Sequence, residues 1–237
     1  MNVRHIFAIY QKQLKDTFKN KGVLIQFIIF PLVAFIMDIT IGQSLTDEGM
    51  GPHYFVTLFS IMYAGMAPTV AISSIITEEK EQNTLRVLMM NNVKPMEYLL
   101  GVGGYVFTIS AIGCICFGFM GGFALLDFLK FLSILLTGVL ASILLGAIVG
   151  ILSKNQMSAT SLVLPISMVA AFLPMIALFN ESFANISQVL YTQQIHYLIN
   201  DFSAANYTWD RFAIIGANIL LFALIFVFAY RKKSLAD

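Results

Sequence analysis

The densest run of side chains able to do chemistry is Glu78, Glu79, Lys80 and Glu81, followed closely by Leu85, Arg86, Leu88 and Met89. Carboxylates this close together could act as general acid and base, hold a metal, or face a basic partner. Acid–base work needs a second titratable group within hydrogen-bond reach, yet the cluster lies in a polar segment, and His5, His53 and His196 fall outside the apolar runs or at their edges. A metal site needs ligands at fixed spacing, and no His, Cys or carboxylate set has it. Cys114 and Cys116, two apart in an apolar run, point to different sides of a helix and read as buried free thiols rather than a disulfide or metal pair. There is no GxxxxGK[ST] loop, so the chain is not a P-loop ATPase. The pairs Gly103–Gly104 and Gly121–Gly122 lie inside apolar runs, where they suit close helix packing better than phosphate binding. No catalytic, cofactor or metal residues are therefore assigned.

What remains is docking. Glu78, Glu79, Glu81, Leu85, Arg86, Leu88 and Met89 describe a short helix with a charged front and an apolar stripe, suited to pressing against a separate soluble partner. The alternative is that the stripe lies against the chain's own membrane helices or the headgroups. Asn91 and Asn92 give turn character, Pro95 restarts the chain as a helix, and Glu97 falls in that helix's first turn, where a carboxylate suits the free N–H groups.

The elements that must hold this segment are membrane spans. The chain has 237 residues, 58% of them hydrophobic and 11% charged, far from soluble globular composition. Six apolar runs, approximately 23–41, 54–76, 98–126, 128–152, 159–179 and 212–230, are each long enough to cross a hydrocarbon layer of about 30 Å as a helix. The third and fourth meet at LLDFLKFL, where Asp127 and Lys130 mark a hairpin turn. All the lysines and arginines except Lys130 and Arg211 fall on the side of the termini, which makes both termini cytoplasmic by the positive-inside rule.

The leading residues 1–22 carry Ile6, Phe7, Tyr10 and Leu14 at helical spacing among basic side chains, an interfacial helix on the cytoplasmic leaflet. This stretch is too long and too patterned for a cleaved leader, so the first span is expected to stay in place. The fold class is an all-α polytopic membrane protein: one transmembrane domain over 1–237, with the interfacial helix, a cytoplasmic loop at 78–95 between spans two and three, and short helices in an external region at 180–211.

Within the spans, Pro68, Pro165 and Pro174 can kink their helices, and each freed carbonyl must find a neighbour or water. These prolines are candidates for the transport path or its gate. Asp38 belongs with them, a carboxylate near the outer end of span one that either caps the helix or meets substrate. The external region mixes Gln and aromatic residues with Ile186, Val189, Leu190 and Ile195, a pattern of interfacial or partly re-entrant helices able to plug the outer mouth.

The stretch ITEEKEQNTLRVLMMNNVKPMEYLLG resembles the membrane subunit of bacterial ABC transporters of the ABC-2 type. It has that family's order of a span, a charged cluster, a small residue before Thr-Leu, a short apolar run and a proline entry to span three. SKNQMSATSLVLPISMVAAFLPM is similar to the family's cytoplasmic turn and fifth span. The resemblance implies a bacterial plasma-membrane exporter whose energy comes from a separate ABC ATPase with two nucleotide sites. ATP and Mg would be held by that subunit and not by this chain. It also implies a second permease, identical or related, a coupling helix over about 78–91, and spans two and five at the subunit interface. The substrate would be hydrophobic or amphiphilic: a drug, a peptide or a lipid-like molecule. Asn83 stands where the family usually has Gly, Val102 where a basic residue is common, and Ala171 where Gly is frequent; Asn tolerates the left-handed conformation, so the bend at 83 can survive. Other readings are a secondary transporter or channel without an ATPase, or a noncatalytic membrane anchor or sensor. No surface is read as binding nucleic acid.

Overall fold

A computed structural model describes residues 2–17, 21–47, 53–200, 202 and 208–234. The described residues form helices only: α1 (Val3–Thr17), α2 (Lys21–Asp47), α3 (Tyr54–Glu81), α4 (Thr84–Met90), α5 (Pro95–Met120), α6 (Leu125–Leu152), α7 (Gln156–Ala177), α8 (Glu181–Ser187), α9 (Tyr191–Asn200) and α10 (Trp209–Ser234). Six of these, α2, α3, α5, α6, α7 and α10, are long and apolar enough to span a membrane. The sequence puts the junction of interfacial helix and first span near residue 22; residues 18–20, and 201 and 203–207 of the external region, lie outside the described set.

Helix α3 is the centre of the bundle, packed against α6, α7, α2 and α5. Its closest neighbour is α6, and the reason is a small residue at every fourth position of α6: Gly138, Ser142, Gly146 and Gly150. One face of α6 thereby becomes a smooth channel into which α3 settles. A Cβ on Gly146 would meet the Thr69 carbonyl oxygen at 2.2 Å, and one on Gly150 the Ile76 Cβ at 2.9 Å, so the first glycine is required by backbone approach and the second by the branched side chain of Ile76. By contrast, α2 and α10 bury little of their length and present most of it outward.

The turn between α5 and α6 corrects the sequence reading. It lies at Gly121–Gly122 and not at Asp127 and Lys130. Gly122 takes φ +57°, a conformation that costs glycine nothing, while the N–H of Gly121 closes on the Phe117 carbonyl at 2.9 Å. Asp127 and Lys130 instead pair at 3.1 Å in the opening turns of α6. The same pair of glycines therefore serves a turn rather than helix packing, whereas Gly103 does face a neighbouring span, 3.3 Å from Ile143 Cγ2 for an added Cβ.

Helix α1 packs along α5 through the face of Ile6, Ile9 and Gln13. Gly101 permits this, since a Cβ there would meet Ile9 at 2.7 Å. The side carrying Val3, Phe7 and Leu14 stays exposed, so the apolar stripe read from the sequence is divided between bundle and surroundings.

Candidate functional site

The acidic cluster does not form one helix with the stripe that follows it. Span two runs on through Glu81, and Asn83 then adopts φ +57° and starts α4 as a separate short helix. Asn83 thus occupies the left-handed conformation that glycine would favour, and the bend is kept.

Glu79 is the hub. It is buried, and its Oε1 accepts from Lys12 Nζ at 2.6 Å and from Gln13 Nε2 at 2.7 Å, while its Oε2 accepts from the Tyr98 hydroxyl at 2.6 Å. One carboxylate therefore ties α3 to α1 and α5, with three charge-assisted bonds offsetting its desolvation. Lys80, the next residue, donates to the carbonyls of Gly150, Ile151 and Ser153, capping the C-terminal end of α6 with a positive charge. Glu81 Oε1 accepts from the backbone N–H of Gln156 at 2.8 Å, a negative charge at the N-terminal end of α7. Two adjacent residues thus complement two opposite helix ends. Glu78 stays outside this set and accepts from Gln82 at 3.2 Å on the surface.

A second carboxylate braces the same region. Glu97, buried, accepts from the Asn2 backbone N–H at 2.6 Å and lies 3.0 Å from His5 Nδ1, while closing a capping box with Lys94 N at 3.3 Å. Helix α1 is therefore pinned at its start by Glu97 and towards its end by Glu79.

In α4 the stripe turns inward. Leu85 is 5% exposed and belongs to the core, and Leu88 is half-buried against it. The outward face carries Arg86, Val87 and Met90. The side chain of Met89 lies outside the described residues. Leu85 and Leu88 thus pack on the chain's own helices.

A second polar cluster lies deeper along α3. Pro68 has no N–H to give the Ala64 carbonyl, and Ser142 Oγ donates to that oxygen instead, at 2.5 Å. Ser142 Oγ is also 2.7 Å from the Tyr191 hydroxyl, and Thr69 Oγ1 donates to the Ser142 carbonyl at 3.2 Å. This knot joins α3, α6 and α9. Ala64 lies ten residues into α3, about 15 Å along it at 1.5 Å per residue, so α9 reaches well into the bundle as a re-entrant element. Thr192 and Ile195 pack on Gly65 and Gly138. Burial pushes the Tyr191 hydroxyl up to about 12 and the His196 imidazole down to about 4, so both stay neutral near neutral pH.

The remaining site candidates lie on α2 and α7. Asp38 pairs with His53 Nδ1 at 3.0 Å and joins the later part of α2 to the start of α3. Pro174 is buried and Pro165 exposed on α7, the helix whose backbone at Ala170 and Ala171 lies against Gly65, one turn before Pro68. Cys114 is buried and Cys116 exposed, both free. Among the described residues no group of three or more His, Cys, Asp or Glu could hold a metal. Sequence reading missed Gln13, Tyr98 and Ser142 as partners. Gln13 carried a usable signal, a polar side chain one turn beyond Ile6 and Ile9 on the same helical face; Ser142 carried another, a hydroxyl in line with the glycines of α6.

No curated protein matches the chain. The model of the family described as ABC-2 family transporter protein matches residues 36–231, which takes in all the long helices from the second half of α2 to the end of the last span. With six apolar helices, a charged brace at one end of the central one and a family match across most of its length, this chain belongs to the ABC-2 family of membrane transport proteins.

Proposed function

We propose that this chain is the permease of an ATP-driven exporter in a bacterial plasma membrane, with both termini cytoplasmic and α4 as the contact for a separate ABC ATPase. The observation that supports this reading is the brace at the end of α3. Glu79, Lys80 and Glu81 fasten that end to α1, α5, α6 and α7, and α4 hangs from it through Asn83. A push on the exposed face of Arg86, Val87 and Met90 would therefore reach four other helices through one rigid end. Leu85 and Leu88 serve this by anchoring α4 to the bundle rather than by touching the ATPase, and Glu79 by transmission. ATP and Mg belong to the partner, and the chemistry stays there.

The pairing with a second permease is assigned to α7, whose Leu162, Pro165, Ile166 and Val169 form an unpartnered face. Span two, buried at the bundle centre, has little free surface to offer that interface. Cargo is hydrophobic or amphiphilic, and movement of α3 past the Pro68–Ser142–Tyr191 knot would shift the re-entrant α9 that stands in its way.

Affinity purification in mild detergent tests the docking face. The parent chain is expected to bring down an ATP-hydrolysing subunit, and V87D with M90D to lose it while melting within about 0.5 kcal/mol of the parent, as surface changes do. Retention of the subunit by that variant and by R86E would remove α4 as the contact. An impermeant maleimide should reach a cysteine at position 91 only from the cytoplasm and one at position 182 only from outside; the reverse pattern would invert the topology.

A further inference from the structure

A cavity of about 610 Å³ opens on the outside of the bundle between α1, α2 and α5. Its walls are apolar: Leu24, Phe27, Ile28, Leu32 and Phe35 from α2 face Ile109, Ile112 and Cys116 from α5. The rim residues Ile28, Leu32, Phe35 and Ile112 are each about half exposed or more, so it is a trough in the bundle surface and not a sealed void. Along α2 it runs from Leu24 to Phe35, about 16 Å at 1.5 Å per residue. That is half of a hydrocarbon layer of about 30 Å, the depth of one leaflet.

The end of the trough is set by α1, whose Tyr10 and Leu14 close it. The Tyr10 hydroxyl spends its hydrogen on Thr108 Oγ1 at 3.2 Å, which leaves no free polar group of that pair inside. Beyond Leu14 the chemistry changes at once. Lys15 is exposed, and residues 1–22 carry Arg4, Lys12, Lys15, Lys19 and Lys21 against Asp16 alone. Lys12 is engaged by Glu79, so Lys15, the exposed neighbour of the lining residue Leu14, is the described lysine of this part of α1 that faces the surroundings. The exposed Val3 and Phe7 continue the same apolar side of α1, which puts this helix at the boundary of hydrocarbon and headgroups.

We propose that this trough is a binding site for one acyl chain of an anionic phospholipid, with its phosphate met by Lys15. An apolar groove one leaflet deep, with the exposed Lys15 following the Leu14 that closes its end, matches the two halves of such a molecule and its dimensions. Occupancy by lipid would fix the angle between α1 and α2, and through Lys12 and Gln13 it would steady the Glu79 hub.

Fluorescence of the full chain in symmetric vesicles tests this without an ATPase and without any assumption about orientation, so its failure leaves the exporter reading intact. The chain has one Trp, removed as W209F, and F35W then reports on the trough. Phosphatidylcholine vesicles are doped with brominated phosphatidylglycerol or with brominated phosphatidylcholine. Quenching at F35W is expected to favour the glycerol lipid, and K15Q to lower that preference roughly fivefold, the weight of one basic side chain at an anionic surface. L221W, on the outward face of α10, is the control and should show no preference. Equal quenching by the two lipids at F35W, a preference as large at L221W, or a preference unmoved by K15Q would each overturn the proposal. If F35W does not insert, L32W reads the same wall.

Discussion

Helix α3 is held at two places by opposite means. At its charged end Glu79, Lys80 and Glu81 use full charges, and each meets its partners at 3.2 Å or less. Midway along, the Ala64–Ser142–Tyr191–Thr69 knot uses only neutral groups, and its neighbours in α9 are incompletely satisfied: Thr192 Oγ1, Gln193 Oε1 and His196 Nδ1 are buried without a partner among the described residues. Charged bonds are stronger and more directional than neutral ones, and a buried charge left unpaired is far costlier than a buried hydroxyl. The charged end is thus suited to staying together while it moves, and the neutral region, with polar atoms left over, to changing partners.

Removing the hub should produce the largest effect. E79L leaves Lys12, Gln13 and Tyr98 without their acceptor, and a loss of about 3 kcal/mol is expected, read as a lowered denaturation midpoint in detergent. E79Q, which keeps an acceptor for Tyr98, should recover part of it. If E79L melted like the parent, the contrast between a rigid end and a loose middle would fail.

Acid should select the other region. Burial holds His196 down at about 4, against an ordinary imidazole near 6.5, so the folded protein favours the neutral ring. Its contribution is complete above pH 6.5 and is lost as the pH falls towards 4, by at most about 1.4 kcal/mol per unit. Hydrogen exchange in α9 should accelerate across that window in the parent and not in H196N, while α1 and the end of α3 keep their protection. Equal acceleration in both regions would erase the distinction.

The smallest change should come from Y191F, which removes only the hydroxyl shared with Ser142. A cost of about 1 kcal/mol is expected, with α9 exchanging faster and the Glu79 region unaltered. No change in α9 exchange would mean that Ser142 holds the Ala64 carbonyl unaided and that the knot does not include α9.

Much of this architecture could be read before any coordinates. The six spans follow from runs of apolar residues, because the length needed to cross hydrocarbon is a property of a single helix and its own sequence. The bend at Asn83 was legible from residue type, and so was the need of Pro68 for a substitute donor at Ala64. The hairpin was misplaced because Asp127 and Lys130 are the more conspicuous residues; Gly121 and Gly122 take the turn because backbone geometry, not charge, limits where a chain can reverse. The direction of the α4 stripe could not be read either. Leu85 and Leu88 are equally apolar to a partner and to their own bundle, and only the angle at which α4 leaves α3 chooses between them.

Span number, the gathering of lysine and arginine on one side of the spans, and membership in a class of proteins that work in lipid are local matters that the amino-acid order settles by itself. The meeting of Glu79 with Lys12 and Tyr98, of Lys80 with the end of α6, and of Ser142 with Tyr191 belongs to the tertiary structure alone. Those partners are separated by 19 to 73 positions, and a hydrogen bond acts over about 3 Å. Helix packing, which brings such residues within that distance, therefore decides which polar groups become a site.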